Sequence, residues 1–73
     1  MAELKVLSEI PGKVVSIDVE PGEEVEEDDT LIMLESMKME IPVDCPEDGT
    51  VVKILVAVDD MVEEGDEIAI IET

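Results

Sequence analysis

From Val15 to Glu20 apolar and polar residues alternate, with Val15, Ile17 and Val19 set against Ser16, Asp18 and Glu20. A two-residue period of this kind predicts a half-buried strand. A second stretch, Val52–Val58, keeps the alternation but is more apolar on its second face. Pro11-Gly12, Pro21-Gly22 and the run from Pro46 to Gly49 read as turns. Glu23–Asp29 is acidic around Val25, and a matching stretch surrounds Val62. Each predicts a very short strand or turn with one buried anchor. Leu31–Glu35 and Glu67–Glu72 read as the next strands, and Glu40–Val43 should pair back on the strand before it.

These segments recur. Sliding the chain by 37 positions lays Pro11–Ser36 on Asp48–Thr73 without a gap, and 10 of the 26 pairs are identical, Gly12/Gly49 among them. The abundance of Val and Glu inflates the match but does not explain the glycine pair or the long register. A duplicated unit that buries its apolar face only against its own copy accounts for it. The helix formers between Leu31 and Ile41 permit a helix ending before Pro42. The equivalent Ile68-Ala69-Ile70-Ile71 is instead β-branched, and a duplicated unit uses one structure in both copies. The expected fold is all-β: a flattened β-sandwich or barrel of two short antiparallel sheets with pseudo-twofold symmetry. It forms one domain over residues 1–73, with repeat halves of about 11–36 and 48–73.

Two positions break local rules. Asp28 stands where the second copy has Gly65, and in a left-handed conformation Asp is tolerated better than most residues but less well than Gly. Between Glu35 and Glu40 the hairpin turns through Met37-Lys38, where a two-residue turn favours Asn-Gly or Asp-Gly. Rules are broken most often where function needs it.

Composition removes several chemistries. The 22 acidic and 4 basic residues give a net charge of −18, with no His and no Arg. Nothing is available to neutralise nucleic-acid phosphates or an anionic membrane surface. The charge favours a monomer by self-repulsion and steers the chain toward basic partners. Without His there is no Ser-His or Cys-His pair. The carboxylates do not follow the spacing of a Ca²⁺ loop, and no metal site is expected. Cys45 is alone, so no internal disulfide forms. It reads as a small hydrophobe suited to a reducing compartment. No segment approaches a membrane span, and Met1–Lys5 lacks the form of a secretory signal. The expectation is a cytoplasmic protein or an excised mature domain, without catalysis of its own.

Four lysines remain. Lys5, Lys13 and Lys53 sit in strand-like or terminal contexts and read as solvated surface residues. Lys38 sits at a hairpin tip between Met37 and Met39, at the join of the two halves. Exposed methionine at a turn suits adaptable recognition.

Ser36-Met37-Lys38-Met39 resembles the Ala-Met-Lys-Met signature of biotinyl domains, the carriers of biotin-dependent carboxylases. The resemblance runs from about Val6 to Glu72 and includes the duplicated halves and Gly12, Gly22, Gly49 and Gly65. It is strongest to the small stand-alone biotin/lipoyl attachment proteins, whose fold is a barrel-sandwich hybrid. It implies a biotin carboxyl carrier. A biotin protein ligase would attach biotin to Lys38 and would read Met37 and Met39. A biotin carboxylase would load CO₂, and the carrier would deliver it to a carboxyltransferase. Ser36 departs from the family's usual Ala and matches many lipoyl domains. Those domains, however, place Asp before the lysine and Ala after it, where this chain has methionines. Lipoate on Lys38 is the alternative cofactor, and an unmodified acidic interaction domain is the third reading. The acceptor substrate is not written in this sequence.

Overall fold

The computed structural model describes residues 2–73. Its strands are β1 (Glu3–Leu7), β2 (Gly12–Ile17), β3 (Glu24–Val25), β4 (Thr30–Ser36), β5 (Met39–Asp44), β6 (Gly49–Ile54), β7 (Met61–Val62) and β8 (Glu67–Glu72). They form two four-stranded sheets, ordered β1-β8-β6-β3 and β5-β4-β2-β7, and every pairing is antiparallel. The fold is the all-β arrangement the pattern predicts, as an open sandwich and not a closed barrel. Among the described residues there is no helix, and so none long and apolar enough to cross a membrane.

The pseudo-twofold symmetry extends to individual hydrogen bonds. A shift of 37 positions carries Gly22 N–H···O Val51 (2.7 Å) onto Asp59 N–H···O Val14 (2.7 Å), and Asp28 N–H···O Cys45 (2.8 Å) onto Gly65 N–H···O Ser8 (2.8 Å). The same shift relates the bulge between Val14 and Ser16 to the one between Val51 and Lys53. It also carries β1 onto β5, with Glu3/Glu40 and Val6/Val43 identical. The repeat therefore begins upstream of Pro11, and β1 is a strand that alternation alone did not reveal.

Two kinds of position explain the small residues. A Cβ on Gly12 would lie 2.8 Å from the carbonyl oxygen of Glu35, and one on Gly49 would lie 2.5 Å from that of Glu72. Both glycines allow a backbone to approach more closely than any side chain permits. At the left-handed turns the repeats exchange partners: Gly22 (φ 91°) matches Asp59 (φ 77°), and Asp28 (φ 74°) matches Gly65 (φ 89°). Each half holds one Gly and one Asp there. The acidic runs also brace these turns: Asp29 and Asp66 carboxylates accept from the N–H groups of Glu26 (2.9 Å) and Glu63 (2.8 Å).

The core lies between the sheets and is built from Val14, Leu31, Ile32 and Leu34 on one side and Val51, Ile68, Ala69 and Ile71 on the other, all essentially solvent-free. Val25 and Val62 are the single buried anchors of the two short strands. The alternation holds at Ile17, which packs on the core, and continues to the buried Val19; it fails at Val15, because the bulge after Val14 lets Val14 and Ile17 both face inward.

Candidate functional site

β4 and β5 form a hairpin whose last paired residues are Ser36 and Met39, leaving Met37-Lys38 as a two-residue loop. Both loop residues have positive φ, 51° and 65°. That is the conformation of a type I′ turn, whose twist matches that of the flanking strands. Neither Met nor Lys is favoured there. The hairpin is held by Leu34, Ile32 and Leu31 in the core below, so the turn is imposed by packing and not by its own preference.

The tip is open. Met37 is 92% exposed, Met39 64%, and Lys38 is exposed as well. The structure thus brings Met37, Lys38 and Met39 together on one protrusion. Glu35 and Glu40 face each other at the next rung down, so two carboxylates lie at the base of the tip. The other lysines differ. Lys5 pairs with Glu67 at 3.3 Å and Lys13 with Asp59 at 3.4 Å. Lys53 sits inside β6 opposite Ile70, its backbone held in the sheet. Lys38 alone combines a turn position with full projection, and among the described residues it forms no ion pair. An amine so placed can be acylated without moving any packed group.

The pseudo-twofold maps this tip onto the meeting of the chain's two ends. Ala2 and Thr73 exchange backbone hydrogen bonds of 3.2 and 2.8 Å at the place equivalent to Met39 and Ser36.

Cys45 is 1% exposed and donates its thiol to the carbonyl of Glu47 at 2.9 Å. Its repeat mate Ser8 is also buried and donates its hydroxyl to Ile10 O at 2.5 Å. The thiol is the counterpart of a structural hydroxyl. Burial pushes the Cys45 thiol up from its ordinary range; a hydrogen bond with the Glu47 backbone works against this, and the charges of Asp29, Asp48 and Glu47 add to it. The carboxylates do not converge: among the described residues no three potential ligands form a metal-holding group.

Sequence reasoning named the tip residues but not Glu35 and Glu40 as the acidic rung beneath them, nor the residues of β1. The signal for β1 was present, since the 37-residue register continues upstream through Glu3 and Val6.

Three comparisons bear on this geometry. Residues 5–71 match the family model described as biotin-requiring enzyme. The chain is 45% identical over 71 residues to the biotinylated protein TB7.3 homolog of Mycobacterium leprae, covering 97% of this chain and 99% of that one. It is 41% identical over 61 residues to the dihydrolipoyllysine-residue acetyltransferase component of the pyruvate dehydrogenase complex of Pseudomonas aeruginosa, covering 84% of this chain but 11% of that protein. In structure it matches Kluyveromyces lactis urea carboxylase with a TM-score of 0.93 and 36% identity, over 99% of this chain and 6% of that one.

Proposed function

The chain belongs to the biotin-requiring enzyme family of biotin and lipoyl attachment domains, and from that premise we propose that it is a biotin carboxyl carrier with biotin amide-linked to Lys38. The observation that carries this reading is the exposed Lys38 at a two-residue tip between two exposed methionines. Biotin, once attached, supplies a ureido nitrogen that accepts a carboxyl group at one partner's site and releases it at another's.

The chain's own contribution is placement. Its core fixes the hairpin, and the hairpin holds the amine clear of the surface. Met37 and Met39 offer unbranched, polarizable side chains for a biotin protein ligase to grip. In the attachment step Nζ attacks the acyl carbon of an activated biotin, the adenylate leaves and the amine gives up a proton. The new amide removes one positive charge, so the net charge moves from −18 to −19. A tether of this kind keeps the cofactor at high effective concentration for a biotin carboxylase and a carboxyltransferase. The acidic envelope steers the carrier toward basic docking surfaces and keeps copies apart, which favours a monomer. Catalysis belongs to the partners. The setting we infer is the cytoplasm, where the lone Cys45 stays reduced.

A second reading, lipoate on Lys38, is favoured by Ser36 and by the likeness to the acetyltransferase component. Met37 and Met39 weigh for biotin, as does the relative that is itself described as biotinylated. Incubation with a biotin protein ligase, biotin and ATP, followed by intact mass and peptide mapping, separates them. Biotin on Lys38, absent from Lys38→Arg, supports the carrier. Modification only by a lipoyl ligase overturns the cofactor assignment. A Lys38→Arg variant that is still labelled overturns the site.

A further inference from the structure

On the side of the sandwich where β1 and β5 form the edges lies a cleft of about 200 Å³. Leu7 and Ile10 come to it from β1 and the connection that follows, Ile41 and Val43 from β5, and Glu9 and Asp44 add carboxylates. Its volume is below the 300 Å³ or so of a pocket for a drug-sized ligand. It suits a compact bicycle and not a nucleotide.

The repeat is broken at this place. The pseudo-twofold mates of Leu7 and Ile10 are Asp44 and Glu47, so one wall that is apolar here is acidic on the other side. The apolar version borders β5, the strand that descends directly from the Lys38 tip. Leu7 remains 47% exposed there, an apolar surface that folding alone left uncovered.

The geometry points to this cleft as a resting site for the ring of the group tethered to Lys38. The inference rests on the attachment proposed above. Pro42 lies four residues beyond Lys38, about 14 Å along the strand at 3.4 Å per residue. Eleven bonds separate the Lys38 Cα from the ring of an amide-linked biotin. At the backbone's own advance of 3.8 Å per three bonds, they span about 14 Å when extended. The ring therefore reaches the cleft but not the far side of the molecule. Its thioether face is apolar and polarizable and fits Leu7, Ile10, Ile41 and Val43. Its two ureido N–H groups need acceptors. Asp44 receives only a long 3.5 Å bond from Thr30 Oγ1, so it has lone pairs to offer.

The test uses the whole chain, enzymatically biotinylated and checked for one addition at Lys38 by mass. Methyl and amide NMR spectra of the bare and biotinylated forms are compared. The expected result is shift changes at Leu7, Ile10, Ile41 and Val43, with nuclear Overhauser contacts from the ring. In biotinylated Leu7→Glu those at Ile41 and Val43 fall to the level of residues remote from the cleft. Shift changes confined to Glu35–Glu40 would overturn the resting site while leaving the carrier intact. Failure to add biotin at Lys38 overturns both, and the mass measurement distinguishes that case.

Discussion

Replacing Met37-Lys38 by Asn-Gly should make the protein more stable and useless as a carrier. Both residues sit at positive φ, 51° and 65°, where an L-residue other than Gly or Asn pays about 1–2 kcal/mol relative to the right-handed region. Asn-Gly is the preferred pair for a type I′ turn. Glycine's greater freedom in the unfolded chain takes back about 0.5–1 kcal/mol. Met37 is 92% exposed, so its removal sacrifices no packing. Losing the lysine charge costs little beyond a slightly larger self-repulsion. Over the two positions the net gain is about 1–3.5 kcal/mol, which in a domain of this size raises Tm by about 4–28 °C. The chain has no Phe, Tyr or Trp, so unfolding is followed by far-UV circular dichroism or calorimetry. A Tm equal to or below that of the parent would refute the claim that the tip is strained, and with it the view that stability is sacrificed there for function.

Three other outcomes follow from the same geometry. Gly49→Ala places a methyl 2.5 Å from Glu72 O and 2.7 Å from an Ile71 methyl, and should cost about 1–3 kcal/mol in urea unfolding; Gly12→Ala, with its closest approach at 2.8 Å, should cost less. The raised Cys45 thiol means that the unfolded chain ionises first. Its contribution to stability is full below the unfolded value of about 8.5 and declines as pH rises from there through the higher folded value; Cys45→Ser, like its repeat mate Ser8, should flatten the decline in pH-dependent unfolding curves. With a net charge of −18, Tm should rise as NaCl goes from low ionic strength to about 0.15 M, where the Debye length is about 8 Å; a flat salt response would show that self-repulsion is unimportant.

The sequence made some features legible for physical reasons and hid others. Strand existence followed from alternation and from the repeat, which also overruled the helical preference of the stretch leading to Ile41. The Met37-Lys38 tip was visible because it lies at the join and violates turn preference. Ile17 and Val19 were legible as inward-facing but Val14 was not, because period-two alternation carries no sign of a bulge: the extra residue after Val14 puts Val14 and Ile17 on one face. Asp28 looked anomalous beside Gly65 until the other exchange, Gly22 with Asp59, showed that each half divides two left-handed positions between Gly and Asp. The cleft beside β5 was invisible for another reason. Leu7 and Ile41 lie 34 positions apart, and only the packing of two sheet edges brings them to one surface.

The central claim is that Lys38, presented by a packed hairpin, carries biotin. Its most direct test is peptide mapping of the intact chain after reaction with a biotin protein ligase, biotin and ATP. The account predicts a single biotin amide on Lys38, none on Lys5, Lys13 or Lys53, and none anywhere in Lys38→Arg. A chain that stays unmodified, or biotin found on another lysine, would contradict it.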